Sequence, residues 1–574
     1  MTKQGELMNV AQPPMPAARA RWRLTQSQTW RMAMCLVPLF FGLVALSMRQ
    51  DVNWDLRNYH LYNPYAWLNG KVGLDLAPAQ MPTYFNPTID LLYYGLIKIA
   101  SPRVTGFVMG TIHGLNFVLL ATIAREVLGA GTAGRQRLPL CLAFAGMFGT
   151  GFIAQIGNTM GDNLTALFVL GAVLLVLRHW RAITRGEGAA KLVLAGVIMG
   201  LGIGLKLTNG VYAPALCVAL LLVPATVLRR VRAAFLFGIG VLAGVAASGG
   251  HWYWKMWTMF GNPLFPQFNN IFHSPMAGPV TVSDVRFLPH GLMEKVLWPF
   301  IFAIDTARVS EIKLSLAVWP ILYVAVIALA VAGCVHAARR PAGPITVDPV
   351  DRARDNALLV FLALGYLAWM NMFSILRYLM PLELMAPLII WMAAQRIFPR
   401  AVAGKVATCV ILVVIALSLQ SKNWGRSGWS KQAFSAEVQA IADPAQSMVF
   451  TTHFDPPMAW IATFYPASLA FVSLVNGFES EGYLQRVKAM QAERNGPMYV
   501  MLSDSGATVE PRMEAERARQ ERAADAAIDA EASSVLAAHG MQFGPGACVI
   551  HPARVGDHLL HYRLCPVTQT RVPG

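Results

Sequence analysis

The sequence predicts a polytopic α-helical membrane protein of about 11 transmembrane helices, followed by a C-terminal soluble α/β domain. Three observations carry that prediction. The 574 residues are 55% hydrophobic and only 14% charged, whereas soluble domains carry about 25% charged residues. Apolar stretches of near-spanning length recur from Met32 to Leu419. The net charge of +16 is parcelled into short clusters between those stretches. These clusters are Arg19, Arg21, Arg23 and Arg31; Arg135 and Arg137; Arg178, Arg181 and Arg185; Arg229, Arg230 and Arg232; and Arg339 and Arg340. Basic loops alternating with neutral ones are the positive-inside pattern. A nucleic-acid binder gathers its basic residues on one face of a domain, so nucleic acid is excluded as a partner and membrane lipids are the expected surroundings.

Residues 1–31 read as a cytoplasmic basic N-terminus. The apolar run after them has no small-residue cleavage site and reads as a signal anchor, the first span, Met32–Met48. Pro87–Ile99 is apolar but short of the twenty or so residues a span needs, and Asp90 and Lys98 interrupt it. It reads as a half-inserted helix, which leaves 49–103 as one large outer loop. Further spans are expected near Val104–Ile123, Leu138–Ile156, Leu164–Leu177, Leu192–Leu205, Val211–Leu228, Ala234–Ala247, Leu314–Val335, Ala357–Phe373, Leu379–Met392 and Val406–Leu419. With this parity every later basic loop falls on one side. The transmembrane domain is thus 32–420. The tail, 421–574, is soluble in composition and falls on the outer side. It is expected to contain strands at Ser447–Thr452 and Pro497–Ser503, a helix at Glu514–Ala538, and a hairpin from Ala547–His551 and His558–Leu564. Cys548 and Cys565 pair if the tail lies in an oxidising compartment; the other five cysteines lie in apolar segments and read as small core residues.

The candidate chemistry begins in the outer loop, at Asp51–Gly70, a stretch dense in aromatics and amides. On a regular helix Asp55, Tyr59 and Tyr62 share a face at i, i+4 and i+7. Arg57 and His60 lie between them as substrate contacts, and Asp51 is the alternative base. Asp162, in GNTMGDNL, opens a span on the same side of the membrane. Either acid read alone is an ordinary helix cap. Together they supply a base and an assisting carboxylate for deprotonating a hydroxyl. Lys206, in GIGLKLTNG, and Arg377, in SILRYLMPLE, stand at matching span ends. Read singly they snorkel to headgroups; read together they clamp a phosphate, Arg by its planar fork and Lys as a point charge. His251, Trp254 and Lys255, in the aromatic stretch His251–Pro275, are further candidates for sugar or phosphate contacts, although an interfacial aromatic belt accounts for the composition equally well. No set of residues has metal-ligand spacing, so no metal ligand is named; a divalent cation stays open as the one cofactor.

The pattern Asp55, Tyr59, Tyr62, Ala66, Gly70, followed by PTYFNP at Pro82–Pro87 and by the acidic position Asp162, resembles the GT-C superfamily of integral-membrane glycosyltransferases. That superfamily includes the protein O-mannosyltransferases and the lipid A aminoarabinose transferase. The resemblance spans roughly Met32 to Gln420 and implies an inverting transfer from a polyprenyl-phosphate sugar, with Asp55 as base. The sequence departs from the mannosyltransferase pattern at Leu56, where that pattern has a second acid, and it has no Asp-x-Asp at either acidic position.

The expected function is therefore a glycosyltransferase, hexosyl or pentosyl, of the bacterial inner membrane with its site and tail in the periplasm. Its partners are a polyprenyl-phosphate-linked sugar and a cell-envelope glycan, lipid or protein acceptor. A polar-lipid transporter or flippase without bond chemistry is the alternative, although matched broken repeats are not evident. A non-catalytic scaffold is a third reading, disfavoured by the cost of polar residues at span ends.

Overall fold

The computed structural model describes residues 25–129, 137–280, 284–339, 348–419, 422–504 and 515–570. The basic N-terminal clusters before Thr25, and those at Arg135 and Arg340, lie outside the described residues. Seven helices are long and apolar enough to cross a membrane: Ser27–Ser47, Pro102–Leu128, Val227–Phe260, Val318–Val335, Pro349–Met372, Leu376–Ile397 and Arg400–Ser418. Each coincides with an expected span. The other four expected spans are shorter helices, Arg137–Gly146, Asp162–Arg178, Ala189–Leu205 and Tyr212–Leu220. Even the 17 residues of Asp162–Arg178 reach only about 26 Å at 1.5 Å per residue, short of a hydrocarbon core of about 30 Å. Among the described residues, seven helices thus have the length and composition of a span, and the other four expected spans are shorter.

The breaks have local causes. Gly161 takes a left-handed φ of 83° just before Asp162. Lys206 is extended, and a 3₁₀ turn over Leu207–Val211 separates Ala189–Leu205 from the next helix. Irregular backbone at membrane depth is tolerated where protein buries it or where it lines a cavity. Here it carries two of the candidate site residues. The short helix Ala189–Leu205 is held instead by packing. A Cβ on Gly200 would meet the carbonyl of Val241 at 2.1 Å, so this helix and Val227–Phe260 approach backbone to backbone through small residues.

The tail forms a mixed seven-stranded sheet of β3 (Phe434–Ala436), β4 (Met448–Thr451), β5 (Ala470–Ser473), β6 (Met498–Asp504), β7 (Met541–Phe543), β8 (Val549–Val555) and β9 (His558–Gln569). Its order is β3-β8-β9-β6-β4-β5, with β7 also on β9. Strands β5, β4 and β6 are parallel neighbours, and β8–β9 is the expected hairpin. Helix Ala515–Ala538 and the disulfide Cys548–Cys565 are both present.

The outer loop joins the sheet to the membrane helices. Gln50–Asp51 (β1) pairs with Arg426–Ser427 (β2). Further on, Leu76 bridges Val472 of edge strand β5 in parallel. Lys71, with no exposed surface, fixes that docking. Its Nζ donates to the carbonyls of Leu469 at 2.6 Å and Ala467 at 3.2 Å and lies 3.3 Å from Asp75 Oδ1. Asp75 also accepts from Phe471 N at 2.8 Å and from the hydroxyl of Tyr62. Side chains of loop and sheet merge into one core containing Leu56, Tyr62, Val449, Trp460 and Tyr562.

Breaking one side of a buried ion pair costs about 3–5 kcal/mol. Asp75→Ala should accordingly lower the melting temperature sharply and make the tail cleavable by protease near the loop, whereas an exposed control such as Glu187→Ala should leave both unchanged. The disulfide closes a loop of 17 residues, so Cys548→Ser with Cys565→Ser should cost about 3 kcal/mol in denaturant titrations.

Candidate active site

The stretch after Asp51 does not form the regular helix that the i, i+4, i+7 spacing assumes. Leu56–His60 is a π-turn, closed by Leu61 N to Leu56 O, i to i+5, at 3.3 Å. The wider turn takes Tyr62 off the face of Asp55, toward the Lys71–Asp75 pair. Tyr62, expected as a substrate contact, instead donates its hydroxyl to Asp75 in the docking of loop and sheet. Tyr59 stays near Asp55. Burial, then the Asp55 carboxylate, hold its phenol well above its ordinary value, so it remains a hydroxyl donor. Its ring packs on His60 at 4.1 Å between centroids.

Four charged residues from four distant segments meet beside one ring. Arg377 Nη1 donates to Asp55 Oδ2 at 2.9 Å. Lys206 Nζ donates to Asp162 Oδ1 at 2.6 Å and to the carbonyl of Met160 at 2.6 Å. Both cations lie over the ring of Tyr378, each 5.3 Å from its centroid. The side chains of Asp55, Arg377 and Lys206 are 14%, 13% and 16% exposed, against 4% for Asp162. Three of the four are thus partly open while the second acid is closed in. Cations over an aromatic face gain from its quadrupole, so Tyr378 holds the two together despite their like charge. Glu311 completes the group, 3.7 Å from Arg377 Nη2 and accepting from the indole of Trp424 at 3.1 Å. Tyr378 and Glu311 were missed at the sequence level. Tyr378 had one signal, its place beside Arg377; Glu311 had none.

The remaining candidates separate. Asp51 accepts from Asn53 Nδ2 at 2.8 and 2.9 Å and from Thr159 N and Oγ1 at 2.8 and 3.0 Å. Its oxygens are occupied in tying β1 to the loop before Asp162. His60 Nδ1 pairs with buried Asp90 at 2.6 Å. Burial raises the Asp90 carboxyl and the His60 partner opposes that shift. Arg57 turns toward the tail, within electrostatic reach of Asp455. His251 meets Thr88 Oγ1 at 3.2 Å and stacks on Trp67. Trp254 is 68% exposed, and Lys255 offers its carbonyl to Thr258 at 2.9 Å. Among the described residues no hydrogen bond, ion pair or ring contact joins these three to the ion-pair group. Nor do the described residues contain three or more His, Cys, Asp or Glu grouped to hold a metal ion.

Lys206→Met should strand the Asp162 carboxylate and lower stability by about 3–5 kcal/mol. Adding Asp162→Leu should recover most of that loss, a coupling that a double-mutant cycle on melting curves measures.

No family model matches the chain, and no curated protein does. Among solved structures, the crystal structure of the Archaeoglobus fulgidus oligosaccharyltransferase in the apo form is similar with a TM-score of 0.42 and 12% identity, covering 83% of this chain and 70% of that one. That likeness is loose, and the site is read from its own geometry.

Proposed function

We propose that the chain is a multi-pass membrane glycosyltransferase that moves one sugar from a polyprenyl-phosphate donor to a cell-envelope acceptor. The single observation supporting this reading is the meeting of Asp55, Asp162, Lys206 and Arg377 around Tyr378. A transfer of this kind needs a carboxylate to take the acceptor proton and cations to balance the charge on a departing phosphate, and one site holds both.

The reaction follows from the partners each group now has. Donor phosphate competes with Asp55 for the fork of Arg377. Exchange leaves Arg377 on phosphate and releases Asp55 Oδ2. Asp55 then accepts the proton of an acceptor hydroxyl while that oxygen attacks the anomeric carbon. The bond from that carbon to the phosphate oxygen breaks, and its electron pair leaves on the polyprenyl phosphate. Attack opposite the leaving group inverts the anomeric configuration. Lys206, aimed by Asp162 and the Met160 carbonyl, carries part of the leaving charge. On this reading the site and the tail lie on the outer, periplasmic side of a bacterial inner membrane, a placement the positive-inside pattern supports.

Transfer from a synthetic polyprenyl-phosphate sugar, assayed with the full chain in nanodiscs, tests the reading. Asp55→Asn should slow turnover by about 10²–10⁴ with donor binding retained; unchanged turnover removes Asp55 as base. Arg377→Lys keeps the charge and loses the fork. The donor KM should rise about ten- to a hundredfold, as expected for hydrogen bonds to a charged group of about 1.5–3 kcal/mol.

A further inference from the structure

The carboxyl ends of parallel strands β5, β4 and β6 come together beside the outer loop, and the side chains there are polar and buried. Side chains alternate between the faces of a sheet. Val449, Phe471, Met501 and Leu564 share a core with Leu56, Tyr59 and Tyr62 of the outer loop, while Met448, Phe450, Val472 and Val500 lie on the other face, in a second core with Leu76 and Tyr84 of the same loop. Thr451 on β4 and Ser503 on β6 continue the first series in steps of two, on the face of Leu56 and Tyr62. His453 follows two residues past Thr451, beyond the end of β4. Ser503 is paired with Tyr562, and Tyr562 with His551. A polar row of Ser503, Tyr562 and His551 therefore crosses β6, β9 and β8, with Thr451 at the end of β4 and His453 just past it.

Most of this row has no protein partner. Thr451 Oγ1, both ring nitrogens of His453, Ser503 Oγ and His551 Nε2 are buried without one. His453 is only 6% exposed, Thr451 5% and Ser503 6%. By contrast the Tyr562 hydroxyl donates to the Glu437 carbonyl at 2.8 Å and lies 3.0 Å from the Tyr465 hydroxyl. Buried polar groups in folded proteins are nearly always satisfied, and several exceptions gathered at one sheet end call for a ligand. The carboxyl ends of strands in open α/β sheets are where ligands bind.

We propose that this row is the subsite for a neutral, hydroxyl-bearing sugar residue of the acceptor, an inference that rests on the transferase reading above. The chemistry selects the class. Burial holds the His453 imidazole below its ordinary value, so one nitrogen donates and the other accepts. The hydroxyls of Thr451 and Ser503 also do both. Sugar hydroxyls match such a set, whereas an anion meets the carboxylate of Asp455, which lies within electrostatic reach of His453. The place fits as well. Asp455 Oδ1 accepts from the indole of Trp54 at 3.0 Å, and Trp54 adjoins Asp55 in the chain. A glycan held on the strand ends leads directly toward the base.

The test measures binding without chemistry. Full-length Asp55→Asn protein in nanodiscs is applied to a microarray of bacterial surface-glycan fragments, neutral and acidic. The expected result is binding to a subset of neutral fragments, weakened at least tenfold by Thr451→Val with Ser503→Ala and less by His453→Gln, at unchanged melting temperature. Should the double variant melt lower, His453→Gln alone decides. Equal binding by the variants, binding of acidic fragments only, or no glycan bound by the parent each overturns the proposal. Failure of the transferase reading shows separately, as donor turnover unaffected by Asp55→Asn.

Discussion

The position of the candidate base depends on a buried ammonium at the far end of its loop. Lys71 has no exposed surface; its ammonium meets the Asp75 carboxylate, two carbonyls of the tail and the face of Phe471. An ammonium taken out of water is costly unless every partner is in place. Any sliding of the loop along β5 would leave that charge bare, so loop and sheet move as one. At its other end the same loop is fixed by Asp51, which binds the backbone and hydroxyl of Thr159 three residues before Asp162. Asp55 lies between these two fixed points. Its location relative to both the membrane helices and the sheet is set by groups that do not themselves react.

The ion pairs of the site have similar chemistry and a different burial. Arg377 and Asp55 each keep more than a tenth of their side-chain surface open, while Lys71 and Asp75 keep almost none. A closed pair cannot trade partners without stranding a charge. A partly open pair can, because an incoming anion replaces the carboxylate as it departs. That difference makes Lys71–Asp75 a structural pair and Arg377–Asp55 an exchangeable one. In the proposed exchange Tyr378 keeps two like charges close while their carboxylates change partners. Glu311, more exposed than either acid, holds the second arm of Arg377 from the solvent side, so the guanidinium stays aimed during the exchange.

Much of this was legible in the sequence, and what was missed has physical causes. Hydropathy placed the long helices and composition marked the tail. Two tail strands, the hairpin and the cysteine pair followed from turn residues and alternation. The four short helices were read as full spans because hydropathy sums side chains and ignores backbone breaks at Gly161 and Lys206. Asp55, Asp162, Lys206 and Arg377 were picked as charges at span ends, a signal that survives without tertiary information. Tyr62 was misplaced because a π-turn has no periodicity of its own to detect. Asp51 looked equivalent to Asp55 four residues earlier, and only the partner at Thr159 separates their roles. Lys71 and Asp75 drew no attention in a loop already rich in polar residues. Their importance comes from a strand edge some four hundred positions away.

The broken helices and the strand ends belong to one arrangement. Helix ends at Asp162, Lys206 and Arg377 bring charge to the site from the membrane side, where regular helices would have buried it in hydrocarbon at high cost. Parallel strand ends at Thr451, His453 and Ser503 bring neutral hydrogen-bonding groups from the tail, through the loop that also carries Asp455 and touches Trp54. The two sets differ as the two proposed substrates differ. A lipid-borne phosphate needs cations within reach of the bilayer, and a glycan needs uncharged donors and acceptors within reach of water. The outer loop meets both, through Asp55 on Arg377 and through Trp54 on Asp455. The proposed transfer, between a lipid-borne donor and a glycan acceptor, would use a base on this loop, which Asp51 and Lys71 anchor on either side of Asp55.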